Sequence, residues 1–260
     1  MSLLLGVQRY VQFSLTLAEA ELRKIRHEST ELFSRAVQPI FWLLVFGSVF
    51  SRIRGIVDAP YSYLQFMTPG VLAQSVLFVS IFYGITLVWE RDLGLLNKML
   101  ASPAPHSAIV VGKAFAAGTR SLLQAVMVYA FAMIIHVNLT TNILQILGVF
   151  IVIVIFGMCL SSLSMLLACW LRTRERLMGM VQAITMPLFL ASNAIYPIAL
   201  MPLWLQYVSA ANPMTYVVDA MRALLLTNDF THLPLDFLVL GSYTLVLIGL
   251  ASISFKRLVS

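Results

Sequence analysis

The residues of this chain that could do chemistry fall mainly in two stretches. Trp89 to Pro103 reads WERDLGLLNKMLASP, and Asn212 to Leu226 reads NPMTYVVDAMRALLL; both set acids and bases beside long apolar runs. In the first, Leu93, Leu96 and Leu100 recur at three- and four-residue steps on one side of a short helix, while Glu90, Asp92, Asn97 and Lys98 project polar groups and Pro103 ends it. Leucines exposed between charges suit docking on another protein, or equally a loop helix resting on lipid head groups. In the second, Asn212 suits an N-cap and Pro213 the first helical position, where its missing N–H costs nothing. Tyr216, Asp219 and Arg222 then follow at three-residue spacing and share a face. They would latch an external gate or meet a departing substrate. Alternatively, Asp219 and Arg222 form a satisfied ion pair at a membrane interface, anchored by the tyrosine.

Bond-making chemistry finds little to work with. His27, His106, His136 and His232 lie on different segments, and neither paired carboxylates nor an HExxH pattern is present. Cys159 and Cys169 sit in an apolar run without ligand-type neighbours, so they read as packing residues, and no metal site is expected. A phosphate loop of the GxxxxGK[ST] kind is missing, so ATP binding of that kind would have to come from a separate subunit.

The elements that position these stretches follow from composition. Of 260 residues, 60% are hydrophobic and 11% charged, with a mean hydropathy of +0.90, far more apolar than a soluble core requires. The expected fold class is all-α integral membrane. A crossing takes about 20 apolar residues, which places six transmembrane helices: one between Arg35 and Arg52, then Pro69–Trp89, Gly112–Ile135 (with Arg120 snorkelling from its first turns), Ile143–Leu171, one from Leu177, and Phe237–Phe255. With both termini in the cytoplasm, fourteen of the seventeen Lys and Arg residues fall on cytoplasmic segments; Arg52, Arg54 and Arg222 lie outside. The net charge of +6 is thus a topology signal, and nucleic acid is not an expected partner. The opening MSLLLGVQRY lacks a basic region followed by a sustained apolar one, so a cleaved signal peptide is not expected.

Two segments depart from plain spans. Residues 1–33 carry a stripe of Leu4, Val7, Val11, Leu15, Ala18, Leu22 and Ile25, the mark of an amphipathic helix lying along the inner interface. The run from Leu177 to Val218 has no charge but is twice a span and is broken by Pro187, Pro197, Pro202 and Pro213. It is expected to enter, turn back and form an outer-side re-entrant helical hairpin over 198–230, within a transmembrane domain spanning 34–260. Irregular backbone at that depth must be buried in protein or line water. Polar groups inside otherwise apolar spans, namely Gln74, Ser75, Ser80 and Tyr83 in span two and Thr185, Ser192 and Asn193 in span five, are candidates for a substrate path or for interhelical hydrogen bonds. The small face Gly157, Ser161 and Ser164 of span four meets either a second copy or the same chain.

The first stretch resembles the coupling helix of type-2 ATP-binding-cassette (ABC) exporter permeases, an acidic-basic-acidic triplet followed by glycine, a leucine-rich helix and Ser/Thr-Pro. Glu90, Arg91, Asp92, Gly94, Leu96, Leu100, Ser102 and Pro103 supply the pattern; Leu95 and Asn97 depart from it where Thr and an acid are usual. Asn212 to Leu226 resembles the Asn-Pro-x-Thr-x-x-x-Asp-x-x-Arg signature of the daunorubicin-resistance branch. The resemblance implies a permease subunit, not itself an enzyme, with a coupling helix over 90–103 (Lys98 included) and an outer gate at Asn212, Pro213, Tyr216, Asp219 and Arg222. It implies two copies of a cytoplasmic ABC ATPase that hold ATP and Mg, no cofactor on this chain, and a second copy of the permease or a homologous one, in a bacterial inner membrane among lipids. The implied cargo is an amphipathic or lipid-like compound. A polysaccharide or lipid-linked glycan is the alternative, and sodium efflux or an autonomous membrane protein are remoter ones. Glu90→Ala is expected to uncouple the ATPase without disturbing the spans.

Overall fold

The structure is a computed structural model that describes residues 10, 12–16, 18–20, 23, 29–50, 61–95, 105–171 and 173–255. Its described elements are helical: α1 (Ser29–Phe50), α2 (Tyr63–Asp92), α3 (His106–Ile134), α4 (Ile143–Trp170), α5 (Arg174–Leu190), the short α6 (Leu203–Ala210) and α7 (Pro213–Arg222), a π-helical turn (Ala223–Thr227), and α8 (Leu233–Ser254). Four helices among the described residues are long and apolar enough to cross a membrane: α2, α3 from Ser107, α4 and α8. The first and fifth expected crossings correspond to shorter pieces, the apolar Ser34–Phe50 of α1 and the 17 residues of α5.

Helix α2 is the axis around which the others pack. It touches α1, α3, α4, α5 and α7, and 83% of its most apolar window is buried against 17% for α8. It begins at Tyr63 rather than Pro69, because Ser62 and Gln65 form a capping box. Pro69 therefore sits inside the helix, a position that membrane helices tolerate when neighbours pack closely.

Small residues set those close approaches, as expected where lipid offers no hydrophobic drive between helices. A Cβ on Gly157 of α4 would lie 2.7 Å from the Cα of Gly118 on α3, and one on Gly84 of α2 would lie 2.3 Å from Ser164. Between α2 and α3 the Ser80 and Ser121 hydroxyls are 2.6 Å apart. The face of Gly157, Ser161 and Ser164 thus meets the same chain, and both serines are fully buried.

Helix α3 starts at His106, not Gly112, which carries Lys113 inside the bundle. Arg120 does not snorkel: it is 9% exposed, with its guanidinium 5.6 Å from the centre of the Tyr83 ring. The N-terminal helix packs Ser14 and Ala18, one turn apart, on the ends of α2 and α3. Ser14 Oγ donates to the Ala108 carbonyl at 3.2 Å, and Ala18 sits with Tyr83, Ala116 and Ala117. Leu15, on the stripe expected to lie along the inner interface, is exposed. Leu4, Val7, Val11, Leu22 and Ile25 lie outside the described residues.

Candidate functional site

The two ends of α2 carry the chain's charged clusters. At its C-terminal end Glu90 turns inward, and its carboxylate lies 2.6 Å from Lys113 Nζ of α3, both side chains being under a tenth exposed. Such a pair survives burial because each charge is the other's compensation. Asp92 is exposed and reaches sideways. It accepts from Arg174 Nε at 2.9 Å and Nη2 at 2.8 Å, and from Arg91 Nη2 at 3.1 Å. These hydrogen bonds, Arg174's first, hold the Asp92 carboxyl below its ordinary range. Arg174 also lies over the Trp89 ring, 5.9 Å from its centre. The end of α2 is thereby fastened to α3 and to the start of α5.

Gly94 ends this helix. Its φ of +72° is in the left-handed region, and its N–H bonds the Arg91 carbonyl at 2.9 Å, the usual glycine stop. Leu93 and Leu95 beside it are exposed. Leu96, Lys98, Leu100 and Pro103 of the expected docking helix lie outside the described residues, as do Asn97 and Ser102. Glu90, however, is no projecting acid. Glu90→Ala would remove the carboxylate 2.6 Å from the buried Lys113 ammonium, so it is expected to disturb the α2–α3 packing as well as any docking; a paired replacement separates coupling from folding.

At the opposite end, Asp219 and Arg222 of α7 meet at 3.3 Å, and Asn193, just beyond α5, joins them. Its side-chain amide donates to Asp219, while Arg222 Nη2 donates to the Asn193 carbonyl at 2.9 Å. The guanidinium lies 4.0 Å from the centre of the Phe66 ring on α2, close enough for a cation–π attraction. Asn193 Oδ1 and Arg222 Nε are buried without a hydrogen-bond partner. Asn212 is the N-cap of α7, accepting from Met214 N at 2.9 Å, with Pro213 at its start; its amide also donates to the Leu188 carbonyl at 2.7 Å. Tyr216 does not join the ion pair: its hydroxyl donates to the Ala210 carbonyl at 2.7 Å, tying α7 to the end of α6.

The polar groups expected along a path divide in two. Ser75, Thr185 and Ser192 donate to carbonyls of their own segments, the local default for a hydroxyl in a helix. Gln74 is buried with its Oε1 unpartnered and shares a helix face with Phe66 and Gly70. Gly70 in turn approaches so near Ala194 that a Cβ there would lie 2.3 Å from the Ala194 carbonyl oxygen. Tyr83 sits under Arg120 instead. Between α5 and α6 runs an open, mostly apolar groove of about 620 Å³, bordered by Ile184, Pro187, Leu188, Tyr207, Val208 and Asn212. Among the described residues no three His, Cys, Asp or Glu side chains gather as a metal site would require.

Three partners escaped the sequence reading: Lys113, Arg174 and Phe66. Lys113 lies eight residues beyond the Pro105 that opens α3, about two turns, and that offset was the available signal. Arg174 and Phe66 meet their partners only through tertiary packing.

This order of elements, with a charged end on α2 and a proline-started α7, can be set against known proteins. The ABC-2 type transporter family matches residues 12–226. The chain belongs to that family. It is therefore a multi-pass membrane protein of the permease kind. Its relatives include the transport permease ycf38 of Cyanophora paradoxa, 28% identical over 83% of this chain and 74% of that one. The daunorubicin resistance ABC transporter permease protein DrrB1 of Streptomyces coeruleorubidus is 24% identical over 83% of this chain and 75% of its own length. Nodulation protein J of Rhizobium meliloti is 23% identical over 87% and 86%. The span of this ABC-2 chain that matches the family, residues 12–226, includes the charged end of α2 and the hairpin helices α6 and α7.

Proposed function

We propose that the chain is the membrane-spanning subunit of an ATP-driven exporter, moving an amphipathic or lipid-like compound out of the cytoplasm or the inner leaflet. The observation that carries this reading is the charge clamp at each end of the same buried helix. A 30-residue helix spans about 45 Å at 1.5 Å per residue, so α2 reaches from one face of the bilayer to the other. A push on its Glu90 end drags α3 through Lys113 and α5 through Arg174, and the displacement arrives at Phe66 under the Asn193–Asp219–Arg222 latch.

In this reading two copies of the permease pair, each docking a cytoplasmic ABC ATPase through residues 90–103, and ATP and Mg stay on that partner. The chain crosses a bacterial inner membrane six times with both termini inside, α1 and α5 supplying the two shorter crossings and α6–α7 the re-entrant outer hairpin. Cargo drives the cycle forward only by interacting differently with the two states. The groove beside α5, apolar with Tyr207 and Asn212 at its rim, fits an amphipathic molecule better than a small ion.

The test is affinity purification of the tagged chain in mild detergent, with mass spectrometry of retained proteins, lipids and small molecules. An ATPase recovered in equal amount supports the reading, and a co-purifying amphiphile would name the cargo. A chain that comes down alone, even after crosslinking in cells, overturns it.

A further inference from the structure

Away from both charge clusters, α2, α3 and α4 enclose a crevice of about 180 Å³. Its walls are apolar: Leu72 of α2, Ala125 and Tyr129 of α3, Val149 and Phe150 of α4, and Leu225 of the π-turn. Leu72, Ala125, Val149 and Leu225 are all under 5% exposed. The mouth opens between α3 and α4, where Val126, also a wall residue, is 44% exposed. Val149 lies about 9 Å inside the start of α4 at 1.5 Å per residue, so the crevice is within one leaflet of a hydrocarbon core about 30 Å thick.

The π-turn builds the end wall. Gly148 lets Leu224 close in, since a Cβ there would lie 3.1 Å from a Leu224 methyl. The Leu225 carbonyl accepts from Thr140 N at 3.1 Å. The Tyr129 hydroxyl donates to the Thr140 carbonyl at 2.6 Å, so the crevice's one polar group is already used. A dry apolar space of this size takes a hydrocarbon, not water: engineered cavities near 150 Å³ elsewhere hold benzene.

The surface around the mouth says what that hydrocarbon belongs to. Leu123, Ile143, Leu147 and Ile151 are exposed there, large and apolar. The small residues Gly157, Ser161 and Ser164 of α4, which would suit a second copy in lipid, face inward, and Gly148 packs on Leu224. Helix α5 exposes Gly179, Gln182 and Ala183 together, a smaller and more polar surface than the leucine- and isoleucine-rich one around the mouth. We infer that the crevice between α3 and α4 is a binding site for part of the acyl chain of a membrane lipid, closed at its end by Leu225. This holds whether or not the chain exports anything, because it concerns a resident lipid and not the cargo.

The experiment uses the full chain in phosphatidylcholine nanodiscs doped with a phosphatidylcholine that carries a diazirine on one acyl chain. After illumination, adducts are mapped by mass spectrometry. Adducts on Leu72, Val149 or Leu225, which lipid gliding over the surface cannot reach, are the expected result. In Ala125→Phe, and independently in Val149→Phe, those adducts fall to background while labelling of exposed Leu144 and Ile151 persists. Labelling of the wild-type chain confined to exposed residues overturns the site without any variant having to fold. So does a disulfide between two copies carrying Val126→Cys, with Leu147 unlabelled, since a second copy would then cover the mouth.

Discussion

The two ends of α2 hold their charges in different ways. At the Glu90 end the Glu90 and Asp92 carboxylates each have cationic neighbours, and the pair with Lys113 is nearly sealed from solvent. At the Phe66 end the Asp219 side chain is 41% exposed, and Asn193 Oδ1 and Arg222 Nε are buried but unpartnered. A sealed, compensated pair is expensive to separate. A half-wet latch with spare donor and acceptor capacity loses little on opening, because water or a polar cargo group can take the vacated positions. In the proposed exporter, one end of the axis would transmit force and the other would yield to it.

The comparison breaks most sharply at Lys113. Lys113→Met removes the ammonium 2.6 Å from the buried Glu90 carboxylate, and weakening a buried charge pair from one side is strongly destabilising; the expected result is a large fall in thermal stability in detergent and poor yield. The double variant Glu90→Met with Lys113→Met removes both charges and recovers most of that stability, since apolar replacement of a whole buried pair is close to neutral. If the double variant folds yet neither transports nor stimulates its ATPase, the pair serves coupling. Normal transport would make it a structural fixture alone.

At the yielding end the expected effects reverse. Asp219→Asn and Arg222→Gln each loosen a contact whose aspartate is 41% exposed and whose arginine is 11% exposed, intermediate between a surface ion pair and a sealed one, and the melting temperature falls less than in Lys113→Met. Export falls while ATPase binding stays intact. Normal export in both variants would reduce the cluster to an interfacial ion pair. Asn193→Ala sharpens the point: it withdraws one amide donor and leaves the ion pair, so a transport defect there locates the latch in the three-way contact.

Much of this architecture is legible in the sequence, for a physical reason. Helix α4 is a continuous apolar run with Asn142 capping its first turn, and its expected bounds differ from the observed ones by one residue. The pair Asp219–Arg222 is a local i,i+3 contact, visible from spacing alone. Lys113 counts among the cytoplasmic basic residues in sequence, because a charge beside an apolar run is normally outside it; the buried acid that permits the exception is 23 positions earlier and on another helix. Asn193 looked like one polar residue among several in a broken span. Its role depends on the turn after α5 reaching α7, which no local pattern encodes. Ser75, Thr185 and Ser192 looked equally promising and are satisfied by their own segments.

The smallest expected effect lies at the fastening between α2 and α5. Asp92 and Arg174 are the exposed ion pair of the inner cluster, and the Asp92 carboxyl is held below the ordinary range by Arg174 and then Arg91. A group whose folded pKa is depressed contributes stability that is fully present above its unfolded value and is lost as pH falls through the folded one. The fastening should therefore be intact at neutral pH and released only in acid, below the usual carboxylate range. Arg174→Ala shrinks that acid-dependent step in a melting-temperature profile to what Arg91 alone sustains and leaves the Glu90–Lys113 pair in place. Because the contact is at the surface, it should also weaken with added salt. If Arg174→Ala also lowers ATPase stimulation, force reaches α5 through Asp92; if stimulation is unchanged, α3 alone carries it through Lys113, and the sealed pair is the whole of the transmitting end.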